Sequence, residues 1–188
     1  MRKETVYFDK AGLANTDECV AAAVARAQEL GLRYLVVAST SGDTAEKLQA
    51  AVGERDMKVV CVTYHAGFHG GDDTLPIARR EKLRALGIEV VICSHALSGV
   101  ERSIKDKFGT IGPLELMAHT LRCFGQGVKV AVEIAVMAAD SAAVPTDQDI
   151  VCLGGSGKGC DAALVLRAAH QNNFFDLRVR EIVAMVRG

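Results

Sequence analysis

The chain has 188 residues, 49% hydrophobic and 24% charged, with a formal net charge of −1. That length and balance suit one globular domain over 1–188 with a full core. The near-neutral charge, with no basic stripe, excludes a general nucleic-acid binder.

Met1-Arg2-Lys3-Glu4-Thr5 has no apolar stretch behind it, so no leader is expected. Val6-Tyr7-Phe8 reads as a short strand. Asn15-Thr16-Asp17-Glu18 supplies an N-cap and acids for a first helical turn. Val20, Ala23, Val24, Ala27 and Leu30 then recur at helical spacing, and Gly31 suits the C-cap. Residues 35–38 are continuously apolar, the pattern of a strand buried on both faces of a parallel sheet. A helix over 44–52 and a strand over 59–62 follow. A polar loop over 64–74 holds Gly67, Gly70 and Gly71, and Pro76 opens a helix to about Leu86. Residues 88–93 are another buried strand. The stretch 95–113 is less regular, with a helical part near 100–107, and 114–124 is a helix closed by Gly125-Gln126-Gly127. Residues 128–137 alternate as a strand would, yet the length and alanine content of 128–143 favour a buried helix. Lys129, Glu133 and Asp140 in this most apolar stretch predict that it does not span a membrane. Strands over 150–153, 162–166 and 182–186 close the chain.

Strands alternating with helices predict a three-layer α/β/α sandwich around a mostly parallel sheet. Ligands in such folds collect beyond the carboxyl ends of the strands, so the loops after Ala38, Val62, Cys93 and Leu153 are the candidate site. Cys61, Cys93 and Cys152 lie mid-strand, where a free thiol behaves as a small hydrophobe, and there is no Cys-x-x-Cys pair. A reducing, cytoplasmic setting is expected.

The clearest chemical feature is Ser39-Thr40-Ser41-Gly42-Asp43-Thr44, between a strand and a helix. A helix N-terminus offers free N–H groups and partial positive charge, Gly42 permits close approach, and Ser39, Thr40, Ser41 and Thr44 add hydroxyls. This can form a phosphate cup without a lysine or a metal. Asp43 must then turn its charge away from a dianion. The plainer reading is an N-cap and turn.

Other loops converge on the same edge. His65, Ala66, Gly67 and Phe68 follow a strand end. Phe68 suits a flat ring and His65 a ring oxygen or phosphate, against the alternative of a surface loop. His69, Asp72 and Asp73 add possible metal ligands, but no second Cys/His pair accompanies them, so no metal is expected. His95 faces the crevice or bonds to backbone. Glu133 is a carboxylate in an apolar run, either lining the site or held in an ion pair. Gly155, Ser156, Gly157 and Lys158 lie in a Gly-rich loop. No glycine lies five residues before Gly157 and no Ser or Thr follows Lys158, so it is not a P-loop. It is an anion nest with a point charge, or a tight connection between strands.

The stretch from Glu18-Cys-Val-Ala-Ala-Ala-Val-Ala through Leu35-Val-Val-Ala-Ser-Thr-Ser-Gly-Asp-Thr to Lys58-Val-Val-Cys-Val-Thr resembles the C-terminal α/β domain of pyruvate kinase. The resemblance implies that Ser39, Thr40, Ser41, Gly42 and Thr44 cradle a phosphate. Asp43 departs from the family's turn, and an arginine often found a few residues later is missing. A (β/α) barrel, which carries pyruvate kinase catalysis, needs more chain than this, so that activity is not expected. His65-Ala-Gly-Phe, Val130-Ala-Val-Glu-Ile and His170-Gln-Asn-Asn-Phe-Phe look like free-standing pyruvate kinase α/β-domain-like proteins of archaea and bacteria. That resemblance implies a flavin mononucleotide (FMN) site with its phosphate on the Ser39 turn. Three functions follow as expectations: a binder of a phosphorylated small molecule, a flavin-dependent oxidoreductase, and a sugar-phosphate sensor acting through a partner protein. The amides of Asn172 and Asn173 are candidates to read a ring edge. A homo-oligomer is expected from prevalence alone.

Overall fold

The continuous apolar runs become the middle of a seven-stranded sheet. The computed structural model describes residues 2–187. In chain order the elements are β1 (Val6–Phe8), α1 (Thr16–Leu30), β2 (Tyr34–Ala38), α2 (Asp43–Val52), β3 (Lys58–Thr63), α3 (Ile77–Ala85) and β4 (Glu89–Ile92). They continue with α4 (Gly99–Phe108), α5 (Pro113–Arg122), α6 (Gln126–Asp140), β5 (Asp149–Gly154), β6 (Ala162–Arg167) and β7 (Arg178–Val186). Short 3-10 turns lie at Leu13–Asn15 and Gln171–Asp176.

The sheet order is β1-β7-β6-β5-β2-β3-β4. β5, β2, β3 and β4 are parallel, with Val36 opposite both Val60 and Cys152. β6 runs antiparallel to β5 and β7, because the short link after Gly154 leaves no room for a crossover helix. β1 pairs parallel to β7 at the sheet's edge. The carboxyl ends of β2, β3, β4 and β5 therefore share one edge.

Alternate residues feed two cores. Leu35, Val37, Val59 and Cys61 pack with α1 and α2, whereas Val36, Val60 and Val62 pack with α6. The ambiguous stretch is helix α6. It is buried almost all round because the sheet covers one side while α5 and residues 171–176 approach it elsewhere. α6 begins at Gln126, so Gly125 stands at its N-cap and Gly127 lies inside the helix, not in a turn closing α5. Two sequence expectations change. Asn15 has helical dihedrals and makes no cap bond, because the preceding 3-10 turn already leads into α1; its amide donates to Lys10 O at 2.7 Å. The His170–Phe175 segment lies at the opposite end of the sheet from the strand carboxyl ends, so Asn172 and Asn173 have no place at the crevice. The antiparallel β6 carries it there, and His170 and Gln171 bond to Asp140 at the end of α6. Phe174 packs on the α6 core while Phe175 is 80% exposed.

Gly127 and Gly154 set how closely α6 meets β5. A Cβ on Gly154 would fall 2.1 Å from Gly127 O and 2.7 Å from Ala131 N. Both obstacles are backbone and cannot rotate aside. Gly154→Ala is expected to destabilise the chain by about 1–3 kcal/mol in a denaturant titration, the scale of an overpacked core. An unchanged midpoint would show that α6 does not sit this close.

Candidate functional site

β2 ends at Ala38 and the chain turns at once into α2. Ser39 N–H donates to Val62 O at 3.0 Å, tying the turn to β3. Gly42 holds the helix N-cap position at φ +85°. A Cβ there would meet Leu83 Cδ1 at 2.8 Å, so α3 packs directly against the turn's backbone. Within the turn, Gly42 N–H donates to Ser39 Oγ at 3.0 Å and Asp43 N–H to Ser41 Oγ at 3.3 Å. The amides of Thr40, Ser41 and Thr44 donate to nothing among the described residues. These donors, at the positive end of α2, are what an anion requires.

An arginine reaches the turn from α3. Arg79 Nε donates to Ser41 O at 2.8 Å, one terminal nitrogen to Glu46 at 2.7 Å, and the other to Asp43 Oδ1 at 2.8 Å. It grips the turn through its carbonyl and acids. Asp43 is thereby paired with Arg79 at the turn. Hydrogen bonds from Arg79 and then Lys82 hold the Glu46 carboxyl below its usual range. The same acid, with Asp43, raises the Arg79 guanidinium.

The turn opens on a cavity of about 530 Å³. Its walls come from the four strand ends and from α6. Thr63 ends β3 and Tyr64 and Phe68 follow it, His95 follows β4, and Gly155, Gly157, Lys158 and Gly159 follow β5. Gln126, Val130, Glu133, Ile134 and Met137 form a helical stripe of α6. Phe68 stacks on His95 with centroids 4.4 Å apart, and the Arg102 guanidinium lies 5.0 Å from the Phe68 ring centre. His65 meets the same pair edge-on, at 5.3 Å from His95 and 5.8 Å from Phe68. Burial pushes His95 towards its neutral form; Glu133 opposes this, while His65, Lys129 and Arg102 add to it. A neutral imidazole can donate or accept a hydrogen bond without bringing charge to the wall.

Two buried acids organise the surroundings. Glu133, 3% exposed, accepts Leu97 N–H at 2.9 Å and a hydrogen bond from Lys129 Nζ. Glu133 lines the cavity and sits in an ion pair one helical turn from its partner. Asp161, fully buried, accepts N–H groups from Gly12 at 3.0 Å and Ser156 at 3.2 Å, and the Ser156 hydroxyl at 3.3 Å. It therefore pins the Gly-rich loop to the chain before α1. Gly159 is needed there: its φ is +74° and a Cβ would fall 2.1 Å from Thr16 Oγ1.

Ser39, Thr40, Ser41, Asp43, Thr44, Phe68, His95, Glu133, Gly155, Gly157 and Lys158 thus come together at one cavity. Gly42 stands behind the turn against α3, and Ser156 against Asp161. His65 backs the aromatic stack, while Ala66 and Gly67 lie in the exposed bend beyond it. Sequence reasoning missed Arg79, Thr63, Tyr64, Asp161 and the α6 stripe. The stripe was available from helical spacing once 126–140 is taken as a helix; Arg79 and Asp161 carry no local signal. Among the described residues, no group of three or more His, Cys, Asp or Glu could hold a metal ion, and no helix is long and apolar enough to cross a membrane.

The chain matches the family described as "Pyruvate kinase, alpha/beta domain" over residues 17–166. Among solved structures it is similar to a pyruvate kinase from Cryptosporidium parvum, at 11% identity over 84% of this chain and 23% of that one, with a TM-score of 0.44. It is also similar to a hydrogen sulfide-producing enzyme from Fusobacterium nucleatum, at 20% identity over 50% of this chain and 31% of that one, with a TM-score of 0.32. The chain spans less than a third of the length of either. On the family match, which covers most of its length, this chain belongs to the pyruvate kinase α/β-domain family.

Proposed function

We propose that the chain binds a phosphomonoester carrying a flat ring, with FMN the best fit, and that it does not carry out the pyruvate kinase reaction. The observation that carries this reading is the set of unpaired amides of Thr40, Ser41 and Thr44, at a turn lining the same cavity as the Phe68–His95 stack. The amides and hydroxyls at the α2 N-terminus suit a phosphate dianion, and Lys158 adds a point charge on the same cavity wall. Val62, Val130, Ile134 and Met137 supply apolar surface, and Phe68 with His95 an aromatic edge or face for the ring. A cavity of about 530 Å³ is within the usual size of small-molecule sites. A bound flavin would supply redox chemistry; the chain's own residues bind, orient and partly shield it. The oxidoreductase reading further requires substrate space beside the ring. The sugar-phosphate sensor shares the anchor and differs in leaving the aromatic wall unused.

Ser41 is the residue for the direct test, because it is exposed, whereas any side chain at Gly42 would strike Leu83. Ser41→Asp places a carboxylate beside the phosphate and is expected to weaken FMN binding by about a hundredfold or more, measured by equilibrium dialysis. Unchanged binding would remove the phosphate from this turn.

Arg79→Ala should act through the turn's shape. FMN affinity is expected to fall about tenfold, the scale of one lost charge-assisted hydrogen bond. A pH effect accompanies it. The folded-state pKa of Glu46 is depressed from 4.5 by Arg79, so its stabilising contribution is present above that value and is lost as pH falls through the lower folded one. Thermal melts from pH 6 down to about pH 3 should therefore show a shallower acid loss in Arg79→Ala than in the parent. Parallel acid limbs would show that the pair contributes nothing to the fold.

A further inference from the structure

Three side-chain atoms among the described residues are buried without a hydrogen-bond partner: Thr63 Oγ1, Arg80 Nε and His95 Nδ1. Thr63 and His95 both belong to the wall of the one cavity. Thr63 is 3% exposed, and an unpaired buried hydroxyl destabilises the fold. Valine, of nearly the same shape and equally suited to a strand, would avoid that cost. Thr63 is the last residue of β3, on the same side of the strand as Cys61, whose Sγ lies 3.9 Å from Ser39 O. The next residue on that side, one step nearer the carboxyl edge, is Thr63. β2 and β3 pair Ala38 with Val62, so Thr63 is level with Ser39 at the start of the turn.

The strand order supplies a ruler. Adjacent strands lie about 5 Å apart, so the end of β3 is about 5 Å from the turn after β2, and the end of β4, where His95 stacks on Phe68, about 10 Å. Phosphate donors, an unpaired hydroxyl and an aromatic platform follow one another across three strand ends. We propose that Thr63 is a specificity-determining residue that hydrogen-bonds a hydroxyl on the chain joining the ligand's phosphate to its ring. The ligand class is then a phosphomonoester of a polyol chain bearing a planar ring. His95 Nδ1 stands at the ring end of the same line.

This inference rests on the proposed phosphate anchor, and the test separates the two. FMN is compared with a phosphopentyl flavin, which keeps the ring and the phosphate but lacks the chain hydroxyls, by flavin fluorescence titration. The parent chain should prefer FMN, Thr63→Val should reduce that preference about three- to tenfold, the scale of one hydrogen bond, and Thr63→Ser should retain it. Without ligand, Thr63→Val should melt no lower than the parent. If the parent binds neither flavin, the flavin reading falls and this inference with it. If FMN binds and Thr63→Val leaves the preference unchanged, or the empty Thr63→Val chain melts several degrees lower, this inference alone is overturned.

Discussion

The constraint on which the site depends is the close packing of α3 against the backbone of the turn at Gly42. There is no space for a Cβ beside Leu83, and the positive φ brings the chain from β2 into α2 without an intervening loop. Arg79 then holds the outer side of the turn through Ser41 O, Asp43 and Glu46. With Ser41 O and the two acids engaged on that side, the amides of Thr40, Ser41 and Thr44 stay without a partner among the described residues. A turn whose donors are fixed in advance would lose less freedom on binding an anion.

Around this turn the sheet gathers chemistry that is scattered along the chain. Parallel pairing of β5, β2, β3 and β4 brings the Gly-rich loop, the turn, the Thr63–Phe68 segment and His95 to one edge. The backbone contact of Gly127 with Gly154 brings α6 down on the same edge, so that its stripe from Gln126 to Met137 closes the wall. The buried charges serve this geometry. Glu133 holds Leu97 beyond β4, and Asp161 holds the Gly-rich loop beyond β5. Glu133 accepts two hydrogen bonds and Asp161 three, the condition under which a carboxylate is tolerated in the interior.

What could be read from the sequence follows from how local each signal is. β2, β3 and β5 were legible because a strand covered on both faces is continuously apolar, and the turn between β2 and α2 because its glycine and hydroxyls are consecutive. The extent of β7 was less so: it starts at Arg178, earlier than its apolar part, since its first residues are exposed. The α6 segment was ambiguous because burial on nearly every side removes the helical period. That ambiguity hid the Lys129–Glu133 pair, which a helix places one turn apart. Arg79 was illegible because its partners lie more than thirty residues earlier. It sits in a charged helix where any of several basic residues would look equivalent. Asp161 reads as the start of a strand, and only the fold brings Gly12 to it.

The proposed role of the turn after β2 is to hold a phosphate. It is tested most directly by comparing FMN with riboflavin, which share ring and polyol chain and differ in the phosphate alone. Titration of the parent chain by flavin fluorescence should give FMN an advantage of at least about a hundredfold, the contribution of two charge-assisted hydrogen bonds. Equal affinities, or tighter binding of riboflavin, would contradict a phosphate on the α2 N-terminus.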